Sequence, residues 1–161
     1  MKIDLSAILE GRQREITAEY GYEPVDDGQS ALLPKDLTLV KPIAVRLRAT
    51  ENHGYVTARA SAECEYDIPC DRCLEPVRNT VKVSIERFID TAAPKEALEE
   101  EGGDVLPLVN GCVDADPDLT EEILLNLPML HLCDPDCPGL CPRCGKKRVP
   151  GGCACPPEDG Q

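Results

Sequence analysis

The chain has 161 residues, 42% of them hydrophobic, with no Trp, a single Phe and a formal net charge of −13 at pH 7. That length carries one domain, or one domain with a small appendage, and its core must be aliphatic. The excess of carboxylates argues against broad, sequence-independent attachment to nucleic acid, which needs Lys and Arg against phosphates; it favours solubility or a basic protein partner.

The opening MKIDLSAILEGRQREI lacks the basic, apolar and small-residue regions of a secretory leader. No apolar run approaches the roughly twenty residues of a membrane span. The expectation is a cytoplasmic protein that engages no membrane, with cysteines reduced rather than in disulfides.

Residues 2–9 and 15–22 are short apolar-alternating runs that read as the first strands. Between Leu39 and Asp90 the alternation is stronger. Ile43, Val45 and Leu47 alternate with arginines; Val56, Ala58 and Ala60 follow the same rule, as do Val81, Val83 and Ile85. Period two marks half-buried strands, and Glu51–Tyr55 (ENHGY) between two of them is a hairpin turn. Residues 91–104 are an acidic run ending in Gly-Gly, expected to form a mobile surface loop. Val105–Cys112 returns to apolar character as a further strand. Asp116-Pro117 then opens a helix, Asp116 as its N-cap, with Leu119, Ile123 and Leu127 as the core stripe and Pro128 as the stop. From Cys133 onward apolar residues nearly vanish, so only a metal could order that end.

Eight of the ten cysteines fall into four close pairs: Cys70/Cys73, Cys133/Cys137, Cys141/Cys144 and Cys153/Cys155. A thiolate site needs four ligands, and each such pair supplies half of them. Cys141-Pro-Arg-Cys144-Gly145 has the form of a zinc knuckle, whose turn suits a Gly after the second Cys. Cys70-Asp-Arg-Cys73 has the same spacing but is followed by Leu74. A helix packed on the meander would return Cys133 and Cys137 to the first knuckle. Site one is therefore expected to be Cys70, Cys73, Cys133 and Cys137, and site two Cys141, Cys144, Cys153 and Cys155, giving two zinc ions. Cys153 and Cys155 share an ion only if Gly151-Gly152 and Pro156-Pro157 enforce a turn, because a single intervening residue puts side chains on opposite faces of a strand. Cys64 and Cys112 read as buried, inert thiols, and His53 and His131 as turn and core residues rather than ligands.

Four-thiolate sites leave no position for activated water, and the sequence has no G-x-S-x-G, H-E-x-x-H or phosphate-binding glycine loop. An enzyme with a small-molecule substrate is not expected. Soft sulfur ligation without redox context favours zinc over iron. The fold expected is α+β: an antiparallel β meander or barrel-like sheet with one C-terminal helix and a cysteine-rich zinc-binding tail. Residues 1–137 form the domain and 138–161 the zinc-ribbon-like tail.

With Cys-Asp-Arg-Cys-Leu at 70–74 and Cys-Pro-Gly-Leu-Cys-Pro-Arg-Cys-Gly at 137–145, the sequence resembles the YceD family of large ribosomal RNA subunit accumulation proteins. The opening Lys-Ile-Asp-Leu and the Glu-Glu-Ile-Leu-Leu helix extend the likeness along most of the chain. The resemblance implies a role in maturation or accumulation of large-subunit rRNA, with a small zinc-binding protein of that subunit as a candidate associate. Two routes remain open. A basic ribosomal protein would complement the negative charge. Alternatively, Arg72, Arg143, Lys146, Lys147 and Arg148, which equally well offset zinc-thiolate charge, would contact rRNA phosphates of the pre-large subunit. A structural or redox-sensing zinc protein unrelated to ribosomes is the third reading.

Overall fold

The computed structural model describes residues 1–25, 33–90 and 105–148 together with Cys155, and of Asp90 the backbone alone. The acidic run at 91–104 therefore lies outside the described residues. In chain order come β1 (Lys2–Asp4), α1 (Ser6–Leu9), β2 (Glu15–Tyr22), β3 (Thr38–Leu39), β4 (Ile43–Asn52), β5 (Tyr55–Pro69), β6 (Pro76–Asp90), β7 (Val105–Pro107), β8 (Cys112–Asp114) and α2 (Asp116–Asn126).

The strand expected over 2–9 breaks after Asp4. Its Oδ1 accepts the Ser6 N–H at 2.8 Å, and the N–H groups of Leu9 and Glu10 then donate to the carbonyls of Leu5 and Ser6. A short Asx-type bond of this kind turns the backbone toward helix.

The central alternation becomes a curled, half-barrel-like sheet in the order β2-β4-β5-β6-β7, with β3 sharing the edge of β5 beyond β4. Its long strands β5 and β6 run fifteen residues each. The sheet is mixed, not the all-antiparallel meander expected, because β7 joins β6 in parallel, Phe88 opposite Val105 and Ile89 opposite Leu106. At the β4–β5 turn His53 and Gly54 both take positive φ (52° and 88°), the two-residue form that matches strand twist. Asn110 and Gly111 repeat it (53° and 76°), so the strand expected over 105–112 is two short ones around a turn. β8 pairs with β1 as a separate two-stranded ribbon.

Alternation sorts the sheet's faces. Ile43, Val45 and Leu47 of β4, Cys64 and Tyr66 of β5, and Val83, Ile85 and Ile89 of β6 are buried. On the solvent face the cations pair with carboxylates within 3.0 Å: Arg46–Glu19, Arg48–Glu15, Arg59–Glu86, Lys82–Glu63, Lys41–Glu65 and Arg78–Asp67.

α2 covers the core face of β5 and β6. Ala58, Ala60 and Ala62 on β5 leave it room. Leu119 and Ile123 are fully buried, and Leu127 packs against the same core. Ala115, not Asp116, is the N-cap, and it makes no side-chain cap bond. Asp116 is drawn elsewhere: its carboxylate accepts Tyr20 Oη–H at 2.8 Å and the amine of Met1. Leu127 is extended (φ −65°, ψ 137°), as the residue before a proline must be, and the helix stops. No helix among the described residues is long and apolar enough to cross a membrane.

Candidate metal centre

The sheet positions the first knuckle directly. β5 and β6 pair as far as Pro69 opposite Pro76, leaving Cys70–Glu75 to close the hairpin. Within it Cys70 N–H donates to Glu75 O and Leu74 N–H to Cys70 O, both at 2.8 Å. The second knuckle repeats this bond for bond: Cys141 N–H to Lys146 O and Gly145 N–H to Cys141 O, again at 2.8 Å. The fifth residue of each turn is left-handed, Leu74 at φ 62° and Gly145 at 68°. The missing glycine therefore does not spoil the first knuckle; Leu74 accepts the same strained backbone.

The segment after α2 is tied to that knuckle. Asp71 N–H donates to His131 O at 2.8 Å, and His131 N–H returns to Asp71 Oδ2 at 2.6 Å. This brings Cys133 and Cys137 onto Cys70 and Cys73, and the four Sγ atoms lie within 4.8 Å of one another. Cys70 and Cys137 sulfurs are 3.9 Å apart, and those of Cys73 and Cys133 3.5 Å. Four sulfurs at about 2.3 Å around a tetrahedral zinc stand roughly 3.8 Å from one another. The spacing fits the ion.

The electrostatics point the same way. Burial raises the Cys70 thiol, but backbone N–H groups of Cys133, Arg72 and Cys73 aimed at its sulfur outweigh that and bring its pKa down to about 6. Cys133 N–H approaches that sulfur at 3.5 Å. Cys133 itself is pushed up to about 12, chiefly by its neighbours Cys137 and Cys73 and then by desolvation. One thiolate is favoured and further ones repel, which is the problem a divalent cation solves. Cys70, Cys73 and Cys137 are buried with Val77, Leu132 and Leu140 around them, while Cys133 is exposed. Lys147 Nζ stands 3.8 Å from Cys133 Sγ and pairs with Glu75.

Cys141, Cys144 and Cys155 form the second cluster, their sulfurs also within 4.8 Å of one another. Cys153, with its flanking glycines, lies outside the described residues. The two knuckles touch: Leu140 N–H donates to Arg72 O at 3.1 Å, while Arg148 N–H to Gly139 O at 2.9 Å closes the flanks of the second knuckle itself. Gly139 is left-handed (φ 74°), and a Cβ there would stand 3.2 Å from the Arg72 carbonyl. The cysteine-rich run thus buries a small core after all, formed by sulfur and Leu140.

The remaining residues divide clearly. His53 sits in its turn and His131 lies edge-on to Tyr66 at 6.0 Å; neither joins a cluster among the described residues. Cys64 is fully buried, and desolvation pushes its thiol up to about 11. Cys112 is only half-buried, because it lies on the edge ribbon. Of the cations proposed for RNA, Arg72, Arg143, Lys146 and Arg148 are exposed, although Arg72 also donates to Cys137 O at 3.0 Å; Lys147 is half-buried, its Nζ toward Cys133. The sequence reading missed Gly139 and the Cys133 N–H directed at the Cys70 sulfur. A glycine two residues after Cys137 and two before Cys141 was the available signal for the first; backbone direction leaves none.

Residues 58–161 match the family described as large ribosomal RNA subunit accumulation protein YceD. An uncharacterized protein of Mycobacterium bovis and one of Mycobacterium tuberculosis are each 35% identical over 131 residues, covering 80% of this chain and 57% of theirs. An uncharacterized protein of Mycobacterium leprae is 33% identical over 98 residues, 60% of this chain and 42% of its own. The chain thus spans little more than half the length of the curated relatives it matches. No solved structure matches it. By the family match, which runs from within β5 through β6, α2 and both cysteine clusters, the chain belongs to the YceD family.

Proposed function

We propose that the protein is a zinc-binding factor in large ribosomal subunit biogenesis, acting in the cytoplasm through a basic ribosomal protein. As a member of its family it is a non-catalytic accessory factor. The observation carrying the metal reading is the convergence of Cys70, Cys73, Cys133 and Cys137 at thiolate-site spacing. We assign one ion to those four and a second to Cys141, Cys144 and Cys155 with Cys153. Each ion would be structural, since four sulfurs leave no open position. We take 138–161 as the module shaped by the second ion.

The family description supports the ribosomal setting, and the charge of −13 supports a basic partner. Cations on the sheet's solvent face are already matched by carboxylates, so the negative excess is carried elsewhere. Direct rRNA contact is the second reading, favoured by Arg143, Lys146 and Arg148 lying exposed around one knuckle. Capture of the tagged full chain from cells, with and without ribonuclease, separates them. Ribosomal proteins retained after ribonuclease support the first reading. Loss on ribonuclease, a salt slope of several in log–log form, and abolition by Lys146→Glu with Arg148→Glu would favour the second.

A further inference from the structure

Met129 is 100% exposed, and Leu125 and Leu130 beside it are 75% and 65% exposed. Single exposed aliphatic residues need no explanation, but three large ones within six positions form a patch. The patch is not a fraying end. Leu119 and Ile123 anchor the helix on one side of it, and the Asp71–His131 bonds fasten the chain to the first knuckle on the other. The ridge is held at both ends and turned to water.

Carboxylates flank it along the chain. Glu121 precedes Leu125 by one helical turn, Asp71 bonds the residue after Leu130, and Asp134 and Asp136 follow, all exposed. Glu121, Asp134 and Asp136 make no ion pair among the described residues. Thiolate clusters bound to zinc would add about −2 each at the same end of the molecule.

We propose that the ridge Leu125–Leu130 is the docking surface for a lysine- and arginine-rich protein segment carrying aliphatic or aromatic anchors. The identity of its owner as a ribosomal protein rests on the function proposed above. The apolar side chains supply the anchoring surface, and the carboxylates select cationic flanks. A second copy of this chain would bring −13 against −13, and the carboxylates along the ridge disfavour nucleic acid or an anionic membrane at this surface.

The test uses the full zinc-loaded chain and three short labelled peptides: lysine and leucine in amphipathic helical spacing, its glutamate-for-lysine counterpart, and oligolysine. The wild type should bind the lysine–leucine peptide, reject the glutamate one and bind oligolysine more weakly. Leu125→Gln, Met129→Gln and Leu130→Gln together, at exposed positions, should weaken binding by about tenfold or more. Glu121→Lys with Asp136→Lys keeps the ridge and should weaken binding while flattening its salt dependence. Equal affinity of wild type and ridge variant, no binding by the wild type, or dimerisation of the wild type that the ridge variant abolishes would overturn the proposal. Parallel capture from cell extract, scored for ribosomal proteins, separates the two readings. If both chains retrieve the same ribosomal proteins, the ridge proposal fails and the ribosomal one survives. If neither does while the peptide results hold, the ridge stands and the ribosomal reading fails.

Discussion

Leu74 and Gly145 occupy the same place in two turns with the same hydrogen bonds, yet only one of them is suited to it. A left-handed backbone costs a residue with a Cβ roughly 1–2 kcal/mol, and glycine gives back part of that by its freedom when unfolded. Leu74 is exposed, so its side chain repays little through burial. Leu74→Gly should therefore stabilise the zinc-loaded protein by about 0.5–1 kcal/mol in denaturant unfolding, and Gly145→Ala should destabilise it by a similar amount. A destabilised Leu74→Gly would mean that the leucine makes a contact which offsets the strain. At this scale the grouping of the thiols was legible, because close cysteine pairs are the spacing a thiolate cluster needs. The approach of the Cys133 N–H to the Cys70 sulfur was not, since the two residues lie far apart in the chain.

Strands β4, β5 and β6 were legible as elements because burying one face of a sheet imposes period two on the sequence. α2 was legible from its stripe and from Pro117 and Pro128. α1 was not: four residues are too short for a helical period, and Asp4 sets it by one local bond. The parallel pairing of β7 with β6 likewise has no local signature, since three residues pair the same way in either direction. Asp116 was misread because a capping residue and a tertiary hydrogen-bond acceptor look identical in sequence.

The contact between the knuckles belongs to this scale too. It depends on Gly139 approaching the Arg72 carbonyl with no Cβ between them. Gly139→Ala should cost about 1–2 kcal/mol through the left-handed backbone and the weakened Leu140–Arg72 bond. It should also speed zinc release to a chromophoric chelator from both clusters. Unchanged stability and release would show that the knuckles behave as independent units.

For the whole molecule, two facts combine: a β5–β6 hairpin ending in thiols, and a helix that returns two more thiols to it. The metal would close a loop of roughly sixty residues, restricting the unfolded chain more than a local finger does, though only logarithmically. Breaking the first cluster should therefore loosen α2 and the sheet together. The convergence was legible in outline, from four cysteine pairs and one helix of suitable length. The ridge at 125–130 was not, because LLNLPML reads as core until the fold shows which way it faces.

Elemental analysis of the purified full chain, wild type beside Cys70→Ser, tests the shared-ion claim most directly. The account predicts about two zinc ions per chain falling to about one. A single ion untouched by Cys70→Ser would contradict it.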